Sequence, residues 1–139
     1  MSRIALALTL ALLAAAPAAA LTAELRVIDG DTVVVGGEHI RIVDLDAPEI
    51  SRARCPEERA AGERARDALA ALLDAHAWSL GRAGRDRYGR TLAYVWISDG
   101  RYIDVVSAGD LMAEAGVARR WIGRTRDWCS ILRLRGNQR

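Results

Sequence analysis

Apolar positions follow three different rhythms along the chain. From Ile4 to Ala16 they form a 13-residue run broken only by Thr9. From Glu24 to Val35 the β-branched residues Val27, Ile28, Val33 and Val35 predict extended chain, which Asp29-Gly30 bends into two short strands. Gly36-Gly37 is a turn signal, and His39 to Leu45 is the next strand, so residues 24–45 read as hairpin-connected strands. Ala47-Pro48 stops the last of them, and residues 50–58 are polar and loop-like. From Glu57 to Asp74 the period becomes helical: Ala61, Ala65, Leu69, Leu72 and Leu73 share one face and charges take the other. Ala77 to Leu80 predicts a short strand, Gly81 to Gly89 a charged loop, and Arg90 to Ile97 a strand. Ser98-Asp99-Gly100 is a turn before a strand over Arg101 to Val106. A short helix over Ser107 to Ala115 ends at Gly116, and beyond Trp121 the chain is Arg-rich and irregular.

Short strands with one helix inserted after residue 45 predict an α+β fold. The expected form is a five-stranded β-barrel of oligonucleotide-binding (OB) type with packed helices, plus one extra strand around 101–106. At 139 residues, one domain is the expectation, placed at 24–120, with a tail over 121–139.

The first rhythm is not part of that fold. Arg3, the apolar run, Pro17 and the small residues Ala18-Ala19-Ala20 have the layout of a signal peptide over 1–20, cleaved near 20–23. The run is short for a membrane span, which needs roughly 20 residues; an uncleaved anchor is the alternative. The expected location is periplasmic or secreted. In that compartment the two cysteines, Cys55 and Cys129, predict one disulfide rather than two buried thiols.

Composition adds a charge asymmetry. The formal charge is only +2, and 27% charged residues beside 51% hydrophobic ones exclude a mostly disordered chain. Yet residues 116–139 carry seven Arg against one acid, Asp127. Such a tail draws a protein toward polyanions, or is simply solvated.

Three segments carry candidate chemistry. Asp29-Gly30-Asp31-Thr32 sits inside a strand pattern although Asp and Gly are poor strand formers; it reads either as an ordinary turn or as a bulge where Asp31 ligates a cation. In Arg41-Ile42-Val43-Asp44-Leu45-Asp46-Ala47-Pro48-Glu49, a bend at 46–48 brings Arg41, Asp46 and Glu49 round one pocket, unless these are solvated strand charges. Carboxylates and carbonyls suit Ca²⁺, and an Arg fork suits phosphate. In Asp86-Arg87-Tyr88-Gly89-Arg90, two Arg flank a Gly at the entry to a strand, either a phosphate-binding loop or a hairpin with exposed Arg.

Taken together, Asp-Gly-Asp-Thr at 29–32, Arg41 five residues before Asp46, Asp-Ala-Pro-Glu at 46–49, Asp-Arg-Tyr-Gly-Arg at 86–90 and Gly116-Val117-Ala118 resemble the staphylococcal-nuclease-like (thermonuclease) family. The resemblance implies an OB barrel with helices and a Ca²⁺-dependent phosphodiesterase that cuts DNA and RNA to 3′-phosphates. It implies Asp31, Asp46 and the Ala47 carbonyl as metal ligands, Glu49 as general base, and Arg41 and Arg90 as the catalytic phosphate-binding pair. It implies Arg87 and Tyr88 as holders of the substrate's terminal phosphate. The family's base-stacking aromatic pair has no clear counterpart after Gly116; Trp121 is either a stacking platform or a packing residue. The leading expectation is an exported monomeric nuclease acting on DNA and/or RNA, with no membrane partner. A non-catalytic OB-fold nucleic-acid-binding module and a structural periplasmic domain are the alternatives.

Overall fold

The computed structural model describes residues 24–98 and 106–136. Strands β1 (Leu25–Asp29), β2 (Thr32–Val35) and β3 (Glu38–Ile42) form an antiparallel meander, followed by the two-residue β4 (Leu45–Asp46). Then come α1 (Pro56–Ala75), β5 (Ala77–Arg85), β6 (Thr91–Ser98), β7 (Val106–Ser107), α2 (Ala108–Glu114), β8 (Arg119–Arg120) and α3 (Trp128–Gly136). The main sheet runs β1-β2-β3-β6-β5, with β3 and β6 parallel. β7 takes the edge of β6 beyond the point where β3 stops, and β4 pairs with β8 in a separate small sheet. This is the α+β, OB-type arrangement expected, although no ladder joins β5 back to β1 among the described residues.

The core forms where the two periods meet. Thr91, Ala93, Val95 and Ile97 alternate inward along β6, and Val33, Ile40 and Ile42 face them from β2 and β3. Ala61, Ala65, Leu69 and Leu73 of α1 close over these, and Met112 of α2 seals one side. Pro56 at the head of α1 supplies a fixed φ where no N–H is needed, and Glu57 and Glu58 lie at the positive end of the helix dipole. Glu38, at the head of β3, accepts hydrogen bonds from Arg82 Nη2 (2.6 Å) and Thr91 Oγ1 (2.6 Å), tying three strands together. Those donors, Arg82 first, pull its carboxyl down to about 2.

Three elements depart from expectation. The strand expected at 77–80 continues to Arg85 in place of the 81–89 loop. Its partner decides this: Leu80, Gly81 and Arg82 pair with Val95, Tyr94 and Ala93, and cross-strand packing outweighs a Gly-rich sequence. Gly81 lets the Trp96 ring lie against the strand, since a Cβ would stand 2.6 Å from Trp96 Nε1 and the ring would have to shift. The strand expected over 39–45 breaks after Ile42, and Leu45 and Asp46 pair with Arg120 and Arg119 instead. The irregular tail contains α3, started by Asp127, whose carboxylate accepts from Ser130 N (3.3 Å) and Oγ (2.8 Å). The expected signal segment, and the 101–106 strand apart from Val106, lie outside the described residues. Among those residues no helix is long and apolar enough to cross a membrane.

Cys55 and Cys129 are joined in the expected disulfide, with Cα atoms 6.0 Å apart, and it fastens α3 to the start of α1. A closed loop of this length restricts the unfolded chain by roughly 4 kcal/mol. Reduction is therefore expected to lower the melting temperature by roughly 10 °C or more in calorimetry. An unchanged transition would mean that the bond adds nothing to the fold.

Candidate active site

The Asp29–Asp31 segment is both a turn and a bulge. The β1 register slips between Val27 and Asp29, and Asp31 N–H donates to Asp29 Oδ1 at 3.2 Å. Gly30 is buried beneath: a Cβ there would lie 2.6 Å from Ala65 Cβ and 2.7 Å from Ala47 Cβ. Only glycine lets α1 and the 46–49 segment close on the turn. The closure sets Asp31 against the backbone of Ala47, whose N–H donates to Asp31 Oδ2 at 3.4 Å.

Asp31 and Asp46 are both largely withdrawn from water and line the same cleft. Burial pushes the Asp31 carboxyl from 3.8 up to about 7, although the Arg41 guanidinium, 2.6 Å away, pulls the other way. Asp29 adds to the rise. Burial also raises Asp46, against the N–H of Arg126 and the charges of Arg41 and Arg126. The two carboxylates disfavoured as anions offer hard oxygen ligands only, and the Ala47 N–H contacts one of them. Such ligands fit Ca²⁺ or a similar divalent cation.

The cations are held as firmly. Arg41 Nη1 donates to Ile42 O (3.2 Å) and Asp31 O (3.4 Å), and its guanidinium lies 5.8 Å from the Trp121 ring centroid. Arg90 is fixed by Asp86, whose Oδ2 accepts from Arg90 Nε at 2.7 Å and whose Oδ1 accepts the N–H groups of Tyr88 and Arg90. Partial burial works against ionised Asp86, but these hydrogen bonds outweigh it and hold the carboxyl below its ordinary value. Gly89, at φ +83°, lets the loop turn back onto Asp86. Arg87 donates to Tyr88 Oη (2.7 Å), and the Tyr88 ring lies between Arg87 and Arg90.

All of these side chains open on one cleft of about 780 Å³. Its lining includes Asp31, Arg41, Asp46 and Glu49 together with Arg87, Tyr88 and Arg90. Of the residues expected in a site, Ala47 lines an adjoining cavity instead, and Cys55 and Cys129 line neither. Glu49 is positioned through α1. Glu58, buried, accepts from Arg54 N (2.8 Å) and Glu49 N (3.5 Å), and Gly62 lies so close that a Cβ would be 2.7 Å from both Pro48 O and Glu49 O.

Three lining residues did not emerge from the motifs: Asp86 as the holder of Arg90, Arg52, whose Nε is 3.6 Å from Glu49, and Arg126, whose N–H is 3.3 Å from Asp46 Oδ2 and which lines the adjoining cavity. The Cys pairing held the clue to Arg126. Cys55 lies six residues from Glu49, so a bond to Cys129 brings residue 126 to the same place.

The cleft thus combines two partly desolvated carboxylates, Asp31 and Asp46, with the guanidinium groups of Arg41 and Arg90. The family described as staphylococcal nuclease homologue matches residues 39–128, and the chain belongs to that family. It is 42% identical over 77 residues to Protein ParB of Escherichia coli, covering 52% of this chain and 40% of that protein. It is 33% identical over 101 residues to the Thermonuclease of Staphylococcus hyicus (68% and 56%). An uncharacterized endonuclease of Escherichia coli is 32% identical over 101 residues (70% and 57%). The chain thus spans about half the length of the curated relatives it matches.

The buried carboxylate has a measurable signature. With a folded value of about 7 against 3.8, Asp31 binds more proton in the folded than in the unfolded protein between those values. Its favourable contribution is present in acid and is lost as pH rises toward 7, at up to about 1.4 kcal/mol per pH unit. Asp31→Asn lacks this slope. Denaturant titrations in chelator are therefore expected to diverge in the variant's favour from pH 4 to 7; parallel curves would contradict the burial argument. Gly62→Ala is expected to displace the Glu49 backbone, costing about 1–3 kcal/mol of stability. A chemical-denaturation midpoint equal to wild type would show that the backbone yields there at no cost.

Proposed function

We propose that the protein is an exported, Ca²⁺-dependent nuclease that hydrolyses phosphodiester bonds of DNA and/or RNA. The observation that carries this reading is the convergence of Asp31, Asp46, Glu49, Arg41 and Arg90, from separate stretches of chain, on one cleft. The names thermonuclease and endonuclease among its relatives support it. The apolar N-terminal pattern and the disulfide support export.

In this reading Asp31, Asp46 and the Ala47 carbonyl hold the cation. Bound Ca²⁺ supplies neutralisation of the scissile phosphate. Arg41 and Arg90 donate to its non-bridging oxygens, and fixed donors of this kind act most strongly as charge builds in the five-coordinate transition state. Asp86 keeps Arg90 Nε occupied, which leaves its terminal nitrogens for substrate. Glu49 accepts a proton from water as the water oxygen bonds to phosphorus. The bond from phosphorus to the 5′ oxygen breaks, leaving a 3′-phosphate, and the departing oxygen takes a proton from solvent. Arg87 and Tyr88 hold a second phosphate of the same strand. The Arg52 guanidinium beside Glu49 keeps the general base at the cleft wall until substrate enters.

The test is cleavage of single-stranded DNA by the purified protein in Ca²⁺ and in chelator. Cutting is expected in Ca²⁺ only. Glu49→Gln is expected to lose about 10²–10⁴ in kcat, and Arg41→Ala or Arg90→Ala a comparable factor. DNA binding without Ca²⁺-dependent cutting would reassign the domain to the non-catalytic module.

A further inference from the structure

Beside the main cleft lies a second cavity of about 210 Å³. It shares Asp46, Glu49, Arg52 and Thr125 with the cleft, whereas Arg87, Tyr88 and Arg90 line the cleft alone. The cavity thus adjoins the cleft at Asp46 and Glu49, and Arg87, Tyr88 and Arg90 do not line it. Arg52, Arg54 and Arg126 converge on it from the loop after Glu49 and from the segment between β8 and α3.

The charge around it is poised. Asp46, Glu49 and Glu58 also line the cavity. Asp46 accepts from the Arg126 N–H (3.3 Å), Glu49 is met by Arg52, and Glu58 is turned to the backbone N–H groups of Arg54 and Glu49. Arg54 Nη2 reaches Arg126 O (3.3 Å) and lies 3.7 Å from Asp127, which leaves most of its five donors unused. Arg126 Nη2 donates to Arg120 O, while its buried Nε has no hydrogen bond and stands 3.7 Å from Asp46 Oδ2. Trp128, 4% exposed, walls the cavity, and its Nε1–H also has no partner. Three guanidinium groups, of which Arg52 and Arg54 keep donors unused, are complementary to an anionic oxygen ligand.

We propose that this cavity is a second phosphate subsite, in which Arg52, Arg54 and Arg126 take a backbone phosphate of the polynucleotide on the far side of the scissile bond from Arg87 and Tyr88. The inference rests on the nuclease reading and adds a substrate class: a strand that continues past the reaction centre in both directions, in preference to a minimal one. Arg52 and Arg54 have side chains 78% and 64% exposed, so they can reach the strand and be replaced without disturbing the core.

The test is binding in Ca²⁺ to the Glu49→Gln protein, in which the ion pair to Arg52 is already removed. The probes are a fluorescein-labelled 12-nucleotide oligothymidylate and a labelled thymidine dinucleotide. Arg52→Ala with Arg54→Ala is expected to weaken the 12-mer at least tenfold. It should also make the plot of log affinity against log salt shallower by about 0.7 for each phosphate no longer neutralised. The dinucleotide should bind as before, with an unchanged melting temperature, and replacing both Arg by Lys should restore most of the 12-mer affinity. Unaltered 12-mer binding and salt slope would overturn the subsite, as would equal weakening of both probes. If neither probe binds and the wild type does not cut DNA, the nuclease reading falls as well; a wild type that cuts while the double Ala variant holds the 12-mer normally removes the subsite alone.

Discussion

Two carboxylates taken out of water in the same place are the constraint on which the rest of this structure depends. Asp31 and Asp46 are disfavoured as anions by burial, and a protein gains nothing for its stability by placing them together. Everything around them answers that cost in part. Arg41 sits against Asp31, the Ala47 N–H points at the same oxygen, and Arg126 brings its N–H and guanidinium to Asp46. The compensation is incomplete, since both carboxyls stay raised despite these partners. In the proposed nuclease reading, a divalent cation, whose charge exceeds what one guanidinium supplies, would complete that compensation.

Bringing the carboxylates together needs backbone approach closer than side chains allow. Gly30 and Gly62 are the two places where α1 meets the site segments without an intervening Cβ. α1 is thus more than a cover for the sheet. Through Gly30 it presses the Asp31 turn against Ala47, and through Gly62 and Glu58 it sets the height of Glu49. Packing in the core and positioning in the cleft are one event, because the same helix face performs both.

The local parts of this were legible in the sequence, and the non-local parts were obscure. The inward faces of α1 and β6, the cap at Gly116 and the strand meander follow from periods and turn residues. The charged residues of the spaced motifs also meet in the cleft, whereas Arg52 and the role of Asp86 in holding Arg90 had no local signal. What escaped depends on partners distant in sequence. β5 extends to Arg85 because β6 offers a ladder, and the chain breaks at Val43 because Arg119 and Arg120 capture Leu45 and Asp46. The tail, read as irregular, folds because Asp127 caps it and Trp128 finds a buried place. None of these long-range partners lies within a local window, and local propensity there points the other way.

The tail also shows why a covalent bond is placed where it is. Arg52, Arg54 and Arg126 are brought to one cavity. Like charges repel within a screening length of about 8 Å in physiological salt, and this is offset by Glu49 beside Arg52, Asp127 beside Arg54 and Asp46 beside Arg126. Ion pairs at the surface contribute too little to hold such a group. A disulfide is indifferent to that repulsion. Cys55 follows Arg54 directly, and Cys129 comes three residues after Arg126, so the bond ties together the two segments that carry the guanidinium groups. The buried Trp128 beside Cys129 adds an apolar anchor that salt does not weaken. The arginine-bearing wall of the second cavity is therefore held by a cross-link and a hydrophobic contact, and does not depend on its surface ion pairs for its place.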